Sequence, residues 1–424
     1  MTTATPPAPA PEATRPKPAG RRTSVRSWYA IARDGLDRPL TAYYLLLGAS
    51  ALLLTIGLIM VLSASSVYSY KHNDGNSYAV VTRQLVWVAI GVPCAWVASR
   101  LPLGAVRRFA WPSLLVAIVL LALVRVPGLG VEVNGNKNWL GVGPFTIQPA
   151  EIAKLAIVLW AAHIYARKEK RLGSLHELIF PVVLGIGVVI ILVMLGKDLG
   201  TALVLFAILL AMLWVVGAPA RLFTMSILVT GVVALYLATT SKHRLERLAT
   251  FTDPFKDFHH TGWQPAHGLY ALASGGWFGQ GIGASQQKWG DLPEAHTDFI
   301  FAVLGEELGL VGTLLVIALF LTIAYAAVRV ASHTADPFVR YMTFGIVVWL
   351  LGQMIINVGM VLALLPVIGI PLPLVSYGGS ALVPSLVALG LLIGFARREP
   401  EAARALAQRK KARSAGLSAG RVPH

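Results

Sequence analysis

Long apolar stretches separated by short polar connections dominate the chain from about residue 41 to residue 396. A helix needs about 20 apolar residues to cross the hydrocarbon core of a bilayer. Ten segments approach that length, at residues 41–63, 83–102, 109–125, 150–166, 177–195, 199–217, 220–239, 298–328, 338–365 and 373–396. No stretch alternates polar and apolar residues with a period of two, as the strands of a membrane barrel do. The pattern predicts an all-α, polytopic integral membrane protein with ten transmembrane helices.

Composition agrees with a membrane location. Hydrophobic residues make up 56% of the 424-residue chain and charged residues only 13%, against about a quarter charged in soluble proteins. The net charge of +16 is concentrated in the tails and short connections, so it does not indicate a nucleic-acid-binding face. Cys94 is the only cysteine and lies in an apolar run, which excludes a disulfide framework and a cysteine-based metal site.

The distribution of Lys and Arg predicts the orientation. By the positive-inside rule, about 25 basic residues fall in the tails and connections of one side, and only about five in the short loops of the other. Both termini are therefore predicted to be cytoplasmic. Seven segments precede the long polar stretch at about 241–297, so it is predicted to be an extracytoplasmic loop between the seventh and eighth helices. It is the only loop long enough to carry a site.

The chain divides into three parts. Residues 1–40 are predicted to form a disordered basic cytoplasmic tail and residues 41–396 the membrane domain. Residues 397–424 are predicted to form a second basic cytoplasmic tail, also disordered because it is poor in large apolar groups. The tails could dock a cytoplasmic partner or attract anionic lipid. They could equally act only as topology signals.

A few ionisable residues interrupt the apolar segments, at a cost of roughly 2.5 to 3.5 kcal/mol each. Glu151 and Lys154 stand three residues apart in QPAEIAKL, on one helical face. Asp198 begins the sixth segment in GKDLGT. These residues either form a structural ion pair that satisfies buried charges and fixes helix packing, or hold the phosphates of a substrate, and the sequence leaves both interpretations open.

Two adjacent carboxylates, Glu306 and Glu307, lie in the eighth segment. Successive side chains of a helix point about 100° apart, so we expect that the two cannot face one partner. Packing or helix capping is the expected role of at least one of them.

The predicted outer loop contains the glycine-rich run GGWFGQGIGAS and three tryptophans, Trp263, Trp277 and Trp289. The glycine spacing does not match a dinucleotide fingerprint, which leaves an anion-binding backbone nest or flexibility. The tryptophans could stack on sugars, but interfacial anchoring is the commoner use. The loop's histidines lack the spacing of a zinc site.

Asp298 is the strongest candidate for chemistry. It lies in LPEAHTDFIF, where the loop ends and the eighth segment begins, directly after His296 and Thr297. A carboxylate there could simply cap the helix. It could also act as a general base that reaches an external hydroxyl while a lipid tail stays in the bilayer.

Three long strings resemble a known family. They are NGNKNWLGVGPFTIQPAEIAKL from Asn134, LPEAHTDFIFAVLGEELGLVG from Leu292 and IGIPLPLVSYGGSAL from Ile368. Together they are similar to the SEDS family of shape, elongation, division and sporulation proteins, over roughly residues 40–398. The run from Asp37 and the EPEA string near the C-terminal tail look closer to the family's division polymerases, in their actinobacterial form, than to its elongation polymerases.

The resemblance implies a peptidoglycan glycosyltransferase of the cytoplasmic membrane that joins lipid II units, at the division septum if it is of the division type. Asp298 would be catalytic. Substrate-binding roles are expected for Glu151, Lys154, Asp198, Arg244, Gln264, His296, Thr297, Ser376 and Ser380. Expected partners are lipid II, undecaprenyl-linked glycan, a class B penicillin-binding protein and other divisome membrane proteins. No nucleic acid is expected.

The implied reaction transfers a glycan from undecaprenyl pyrophosphate to the 4-hydroxyl of lipid II, by direct displacement with inversion. The leaving pyrophosphate needs a cation. Lys154, Arg244, Arg247 or a divalent ion such as Mg²⁺ or Mn²⁺ near Asp298 could supply it, and the sequence does not choose. A lipid II flippase and a non-catalytic division scaffold are the alternative functions.

Overall fold

The computed structural model describes residues 38–133, 136–142, 145–239 and 253–408. Arg244 and Arg247, residues 1–37 and residues 409–424 lie outside the described residues. The helices are α1 (Thr41–His72), α2 (Ala79–Arg100), α3 (Leu103–Arg108), α4 (Ala110–Leu123), α5 (Pro149–Lys168), α6 (Leu175–Ile179), α7 (Val182–Leu195), α8 (Leu199–Val215), α9 (Ala220–Thr239), α10 (Trp263–Gly275), α11 (Ile300–His333), α12 (Pro337–Val361) and α13 (Gly379–Ala396). Short 3₁₀ turns follow α5 at Glu169–Arg171 and α10 at Gln287–Trp289.

The described chain is mostly helical and rich in apolar helices. Within it, seven helices are long and apolar enough to cross a membrane, by length and composition alone: Thr41–His72, Ala79–Arg100, Pro149–Arg171, Leu175–Leu195, Ile300–His333, Pro337–Val361 and Gly379–Ala396. Three shorter apolar helices are Ala110–Leu123, Leu199–Val215 and Ala220–Val232. A polytopic helical membrane protein is therefore confirmed.

The prediction of an all-α fold is wrong between α4 and α5. A small antiparallel sheet lies there, in the order β1 (Gly130–Val133), β2 (Asn136–Val142) and β3 (Phe145–Ile147). Its strands have four, seven and three residues, and the pairing of β1 with β2 shifts register after Val131. A run this short and irregular gives no visible period of two, which explains why the sequence did not reveal it.

Glycines allow two close backbone approaches within the bundle. A Cβ on Gly390 of α13 would lie 2.2 Å from the Ala95 carbonyl oxygen of α2. A Cβ on Gly57 of α1 would lie 2.3 Å from the Leu374 carbonyl oxygen. Backbones approach this closely only where side chains are absent, a common way for membrane helices to associate.

The connection before α13 is longer than predicted. The last apolar segment was expected from residue 373, but α13 begins at Gly379 and α12 ends at Val361. Pro371 and Pro373 lack the amide hydrogen that a helix needs, and Leu374 has a positive φ of 65°. Residues 362–378, called the 362–378 segment below, therefore form an irregular connection.

The basic C-terminal tail begins with ordered structure. Residues 400–408 are helical, and Ala402 is fully buried. The expectation of a disordered tail is therefore wrong for this stretch. The stretch has few large apolar residues, so its sequence did not indicate a packed helix. The helix packs through the small side chain of Ala402.

Polar contacts join the helix ends in two groups. In the first group, Arg107 bonds Asp336, Arg340 bonds Glu169, Lys168 bonds Glu177 and Arg398 bonds the Leu101 carbonyl. In the second, Lys71 bonds the Trp289 carbonyl, Arg125 the Leu195 carbonyl and Gln148 the Asp198 carboxylate. The loops at each end of the bundle are thus held to one another.

Candidate functional site

Asp298 lies in a tight turn that leads into α11. The Thr297 and Phe299 amides donate to the Glu294 carbonyl oxygen at 3.2 and 3.1 Å. The Thr297 hydroxyl donates to the Glu294 carboxylate at 2.6 Å. Phe299 holds the N-cap position of α11, so Asp298 immediately precedes the helix start.

Three consecutive carbonyls of this turn are hydrogen-bonded to other parts of the chain. The His296 carbonyl accepts from the Tyr377 amide at 2.9 Å, and the Thr297 carbonyl from the Ser376 hydroxyl at 2.7 Å. The Asp298 carbonyl accepts from the Asn357 side-chain amide at 2.8 Å. These bonds fix residues 296–298, called the 296–298 turn below, against α12 and the 362–378 segment.

The same residues also fix the 362–378 segment. Asn357, fully buried in α12, donates a second bond to the Ile370 carbonyl at 2.7 Å. The Ser376 hydroxyl accepts from the Leu372 amide at 2.8 Å. Turn and segment therefore form one rigid unit, since each bridging side chain bonds both.

The half-buried Asp298 carboxylate faces the backbone of Gly369. A Cβ on Gly369, which has a φ of 70°, would lie 3.3 Å from Asp298 Oδ2. The neighbouring Ile368 carbonyl approaches the first turn of α8, where a Cβ on Gly200 would be 2.6 Å away. The 362–378 segment thus lies between the Asp298 carboxylate and the start of α8.

His296, the first residue of the 296–298 turn, is buried. Its ring lies 4.8 Å from that of Tyr68 and 5.7 Å from that of Tyr377, between centroids. Burial lowers the pKa of His296 below its usual 6.5, and the nearby Glu294 charge opposes this shift. The imidazole is therefore neutral at physiological pH.

Gln264 supports the loop that leads to the turn. Its side-chain amide donates to the Pro293 carbonyl at 3.1 Å, and the adjacent Trp263 indole donates to the Asp291 carbonyl at 2.6 Å. Gly268, one turn further along α10, lets the helix pack on Phe299, since a Cβ there would lie 2.8 Å from its ring. The observed role of Gln264 is to hold the backbone, while a substrate role stays a prediction.

Asp198 caps α8. Its carboxylate accepts from the Thr201 amide at 2.9 Å, from the Thr201 hydroxyl at 2.8 Å and from Gln148 at 3.0 Å. Helix capping was not among the roles that the sequence suggested for Asp198. With three donors in place, this carboxylate is well satisfied without a ligand.

Glu151 and Lys154 form the predicted ion pair, at 2.7 Å. The residues are only 2% and 1% exposed, and the ammonium lies 5.6 Å from the centre of the Trp349 ring. Trp349 precedes Asn357 by eight residues on α12, or about 12 Å along the axis. The structure therefore places the pair deeper in the bundle than Asp298, and phosphate binding by it stays a prediction.

The expectation that Glu306 and Glu307 cannot face one partner is wrong. The Ser285 hydroxyl donates to Glu306 at 2.5 Å, and the Ser285 amide to Glu307 at 3.3 Å. Lys288 joins Glu307 at 3.1 Å and the Ser63 hydroxyl at 3.0 Å. The outer loop wraps around the helix surface, so one serine reaches both carboxylates with different atoms.

Of the remaining predicted residues, Ser376 belongs to the site, since its hydroxyl bonds the Thr297 carbonyl. Ser380 is buried in the first turn of α13.

Within the described residues, no group of three or more His, Cys, Asp or Glu side chains could hold a metal ion. Sequence reasoning missed Asn357, whose only signal was a polar amide side chain within a mostly apolar segment.

These features define a class: a helical membrane protein that fixes one carboxylate at a helix start, beside a polar loop. Residues 43–400 match the family model of FtsW, RodA and SpoVE, described as cell cycle proteins. The chain belongs to this family.

Named relatives and solved structures agree with that membership. The chain is 42% identical to the probable peptidoglycan glycosyltransferase FtsW of Mycobacterium tuberculosis, over 93% of this chain and 74% of that protein. It is 37% identical to stage V sporulation protein E of Bacillus subtilis, over 83% and 96% respectively.

Two structural matches share the fold. A solved peptidoglycan synthase complex, described as coordinating polymerization and crosslinking, contains a chain with a TM-score of 0.67 and 28% identity, covering 84% of this chain and 97% of that one. RodA of Thermus thermophilus has a TM-score of 0.61 and 26% identity, with the same coverage.

Proposed function

We propose that this chain is a peptidoglycan glycosyltransferase that polymerises lipid II at the outer face of the cytoplasmic membrane, for septal wall synthesis. The observation that carries the proposal is the 296–298 turn. Its three tethered carbonyls hold the Asp298 carboxylate in one place at the end of the polar loop. The names of the relatives support the substrate class.

Asp298 acts as the general base. Its carboxylate accepts the proton of the acceptor 4-hydroxyl as that oxygen bonds the anomeric carbon of the growing glycan. The bond from that carbon to the pyrophosphate breaks, with inversion, and undecaprenyl pyrophosphate leaves. A positioned base typically contributes about 10² to 10⁴ in rate. Neutral His296 adds no competing positive charge beside the carboxylate.

The leaving pyrophosphate requires positive charge. Arg244 and Arg247 are two candidate sources, because Lys154 is already paired with Glu151. A divalent cation is a third, and Asp298 together with phosphate oxygens of the substrate would suit Mg²⁺, which commonly uses one or two carboxylates plus phosphates. Such an ion would offset the developing negative charge when bound.

The proposed topology has ten crossings with both termini in the cytoplasm. Seven long helices and three shorter apolar ones supply the crossings. The contact groups at the helix ends support it, because the Arg107, Lys168 and Arg340 contacts join loops on the side with most basic residues. Impermeant maleimide should label Asp291→Cys but not Lys170→Cys in intact cells, both made in a Cys94→Ser background.

The proposed partner is a class B penicillin-binding protein that crosslinks the glycan. The structural match to a synthase complex that coordinates the two activities supports this pairing. We also propose that the chain binds other divisome membrane proteins and acts at the division septum.

The test uses the chain purified with its class B partner and supplied with labelled lipid II. The Asp298→Ala variant should lose glycan polymerisation while its melting temperature stays close to that of the parent. Asp291→Ala is the matched control, because Asp291 is an exposed aspartate of the same loop. Polymerisation undiminished in Asp298→Ala would remove the assignment of the base.

Lipid II translocation is the competing function. The Glu151–Lys154 pair deep in the bundle favours it, since ionisable groups inside membrane helices often mark transport pathways. Movement of labelled lipid II across vesicles that hold the purified chain, with no glycan formed under any condition, would favour the flippase and contradict the polymerase.

A further inference from the structure

The glycine-rich tip of the outer loop, residues 276–282, is hydrogen-bonded to a break in α11. The Leu310 and Val311 amides donate to the Gly276 and Trp277 carbonyls at 2.9 and 3.1 Å. In return, the Gln280 and Gly281 amides donate to the Glu306 and Glu307 carbonyls at 2.9 and 3.0 Å. The tip therefore supplies partners for backbone groups that the broken helix would otherwise leave unsatisfied.

The break depends on Gly309. Its φ of 67° and ψ of −166° are outside the helical range and essentially restricted to glycine. A Cβ on Gly309 would lie 2.3 Å from the Gly279 nitrogen, and a Cβ on Gly279 would lie 2.1 Å from the Glu307 carbonyl oxygen. Tip and helix are thus in direct backbone contact, which fixes the position of the tip on α11.

The side chains of the tip are large, apolar and uncovered. Trp277, Phe278 and Ile282 are 70%, 82% and 62% exposed. They adjoin exposed apolar residues of α11 just beyond the break, among them Leu310 and Leu314. Because the tip backbone bonds the Leu310 and Val311 amides, tip and helix present their exposed apolar side chains next to each other.

The depth of this surface follows from the sequence of α11. Residues 308–328, between Glu307 and Arg329, carry no charge. These 21 residues span about 31 Å, close to the thickness of a bilayer core. Gly309 therefore lies near one boundary of the hydrocarbon, and the tip beside it lies at the same level.

We propose that the tip is a membrane anchor, in which Trp277, Phe278 and Ile282 enter the lipid at this interface. Backbone can lie at membrane depth only where its polar groups are satisfied, and the exchange of four hydrogen bonds with α11 meets much of that need. Tryptophan is enriched at this level of the bilayer. The inference requires α11 to span the membrane, and it does not require the proposed chemistry.

The anchor sets the depth of the loop that carries Asp298. From the tip, the chain passes through Ser285 and Lys288, which Glu306 and Glu307 hold, and then reaches the 296–298 turn. Insertion of the tip into lipid therefore fixes one end of the short loop segment that leads to Asp298.

The first experiment measures the depth of position 278. Phe278→Cys and Asp291→Cys are each made in a Cys94→Ser background, spin-labelled and placed in vesicles of phosphatidylethanolamine and phosphatidylglycerol. At position 278, collisions with oxygen should exceed those with a water-soluble nickel chelate severalfold, and at exposed position 291 the order should reverse. If the nickel chelate collided with the label more often than oxygen at both positions, the proposal would be overturned.

A second measurement avoids the label. Brominated lipid should quench tryptophan fluorescence less in Trp277→Phe than in the parent. Trp289→Phe should leave the quenching unchanged, because Lys71 at the charged end of α1 bonds the Trp289 carbonyl. Unchanged quenching in Trp277→Phe would contradict the anchor.

A partner protein, instead of lipid, could cover the tip, and a third measurement tests this alternative. If addition of the class B penicillin-binding protein immobilised the label at position 278 and abolished its contact with oxygen, the tip would be a protein interface. Retained oxygen contact in the complex supports the lipid anchor.

Discussion

The 296–298 turn and the Glu151–Lys154 pair each contain a carboxylate, but they are constructed differently and lie at different depths. The pair neutralises itself, with carboxylate and ammonium 2.7 Å apart and almost no exposure. In the turn, the tethers go to main-chain carbonyls, and the half-buried Asp298 carboxylate remains near the surface. The comparison suggests that the pair stabilises the fold and that the turn presents a reactive group.

The largest effect on stability is expected at the pair. Lys154→Met leaves the Glu151 carboxylate buried without its counter-charge, which typically costs about 3 to 5 kcal/mol. The apparent melting temperature in detergent should fall by several degrees. Thermal unfolding followed by intrinsic fluorescence measures it.

The matched double variant separates the two roles of the pair. Glu151→Gln with Lys154→Met removes both charges and should recover most of the lost stability, since neutral replacements of a buried pair are often tolerated. Glycan polymerisation should then be close to that of the parent. A stable double variant that no longer binds lipid II would instead give the pair a phosphate-binding role.

A smaller effect is expected at the tether of Asp298. Asn357→Ala removes the donor to the Asp298 and Ile370 carbonyls, and losing buried partners costs about 1 to 3 kcal/mol. Because the carboxylate then shifts, kcat for polymerisation should fall about tenfold or more, with a smaller change in KM.

Gln353→Ala is the control for this variant. Gln353 lies one turn away on α12, is equally buried and accepts a bond from the Trp349 indole at 2.6 Å. Its loss should lower stability to a similar extent and leave kcat unchanged. An equal fall of kcat in both variants would reduce Asn357 to a packing role.

The same contrast explains what the sequence could reveal. Glu151 and Lys154 are three residues apart on one helix, so their ion pair follows from helical geometry. Asp298 was found from its place at the end of a polar loop and from the resemblance. Its tethers join residues 59 and 79 positions apart in sequence, and local periodicity contains no information about such contacts.

The outer loop shows the same limit. The spacing of Glu306 and Glu307 suggested divergent directions, because helix geometry ignores what wraps around the helix. The hydrogen bonds between the tip backbone and α11 depend on the break at Gly309. A single glycine in an apolar run gives little sign of a break, since isolated glycines are tolerated in membrane helices.

The smallest effect is expected from His296, on the pH dependence of stability. Burial lowers its pKa in the folded state below the usual 6.5. Above pH 6.5 the imidazole is neutral in both folded and unfolded chains, so it makes no pH-dependent contribution. As the pH falls below 6.5, the unfolded chain takes up a proton that the folded chain resists, and stability decreases until the lowered pKa is passed.

Replacing His296 should remove that contribution. His296→Phe keeps a ring between Tyr68 and Tyr377 and leaves the backbone bond to Tyr377 in place. The fall in melting temperature between pH 7 and pH 5 should be smaller in the variant than in the parent, although other groups titrate in both. An identical fall would mean that the burial of His296 does not contribute to acid sensitivity, and the turn would then owe its rigidity to its three carbonyl tethers alone.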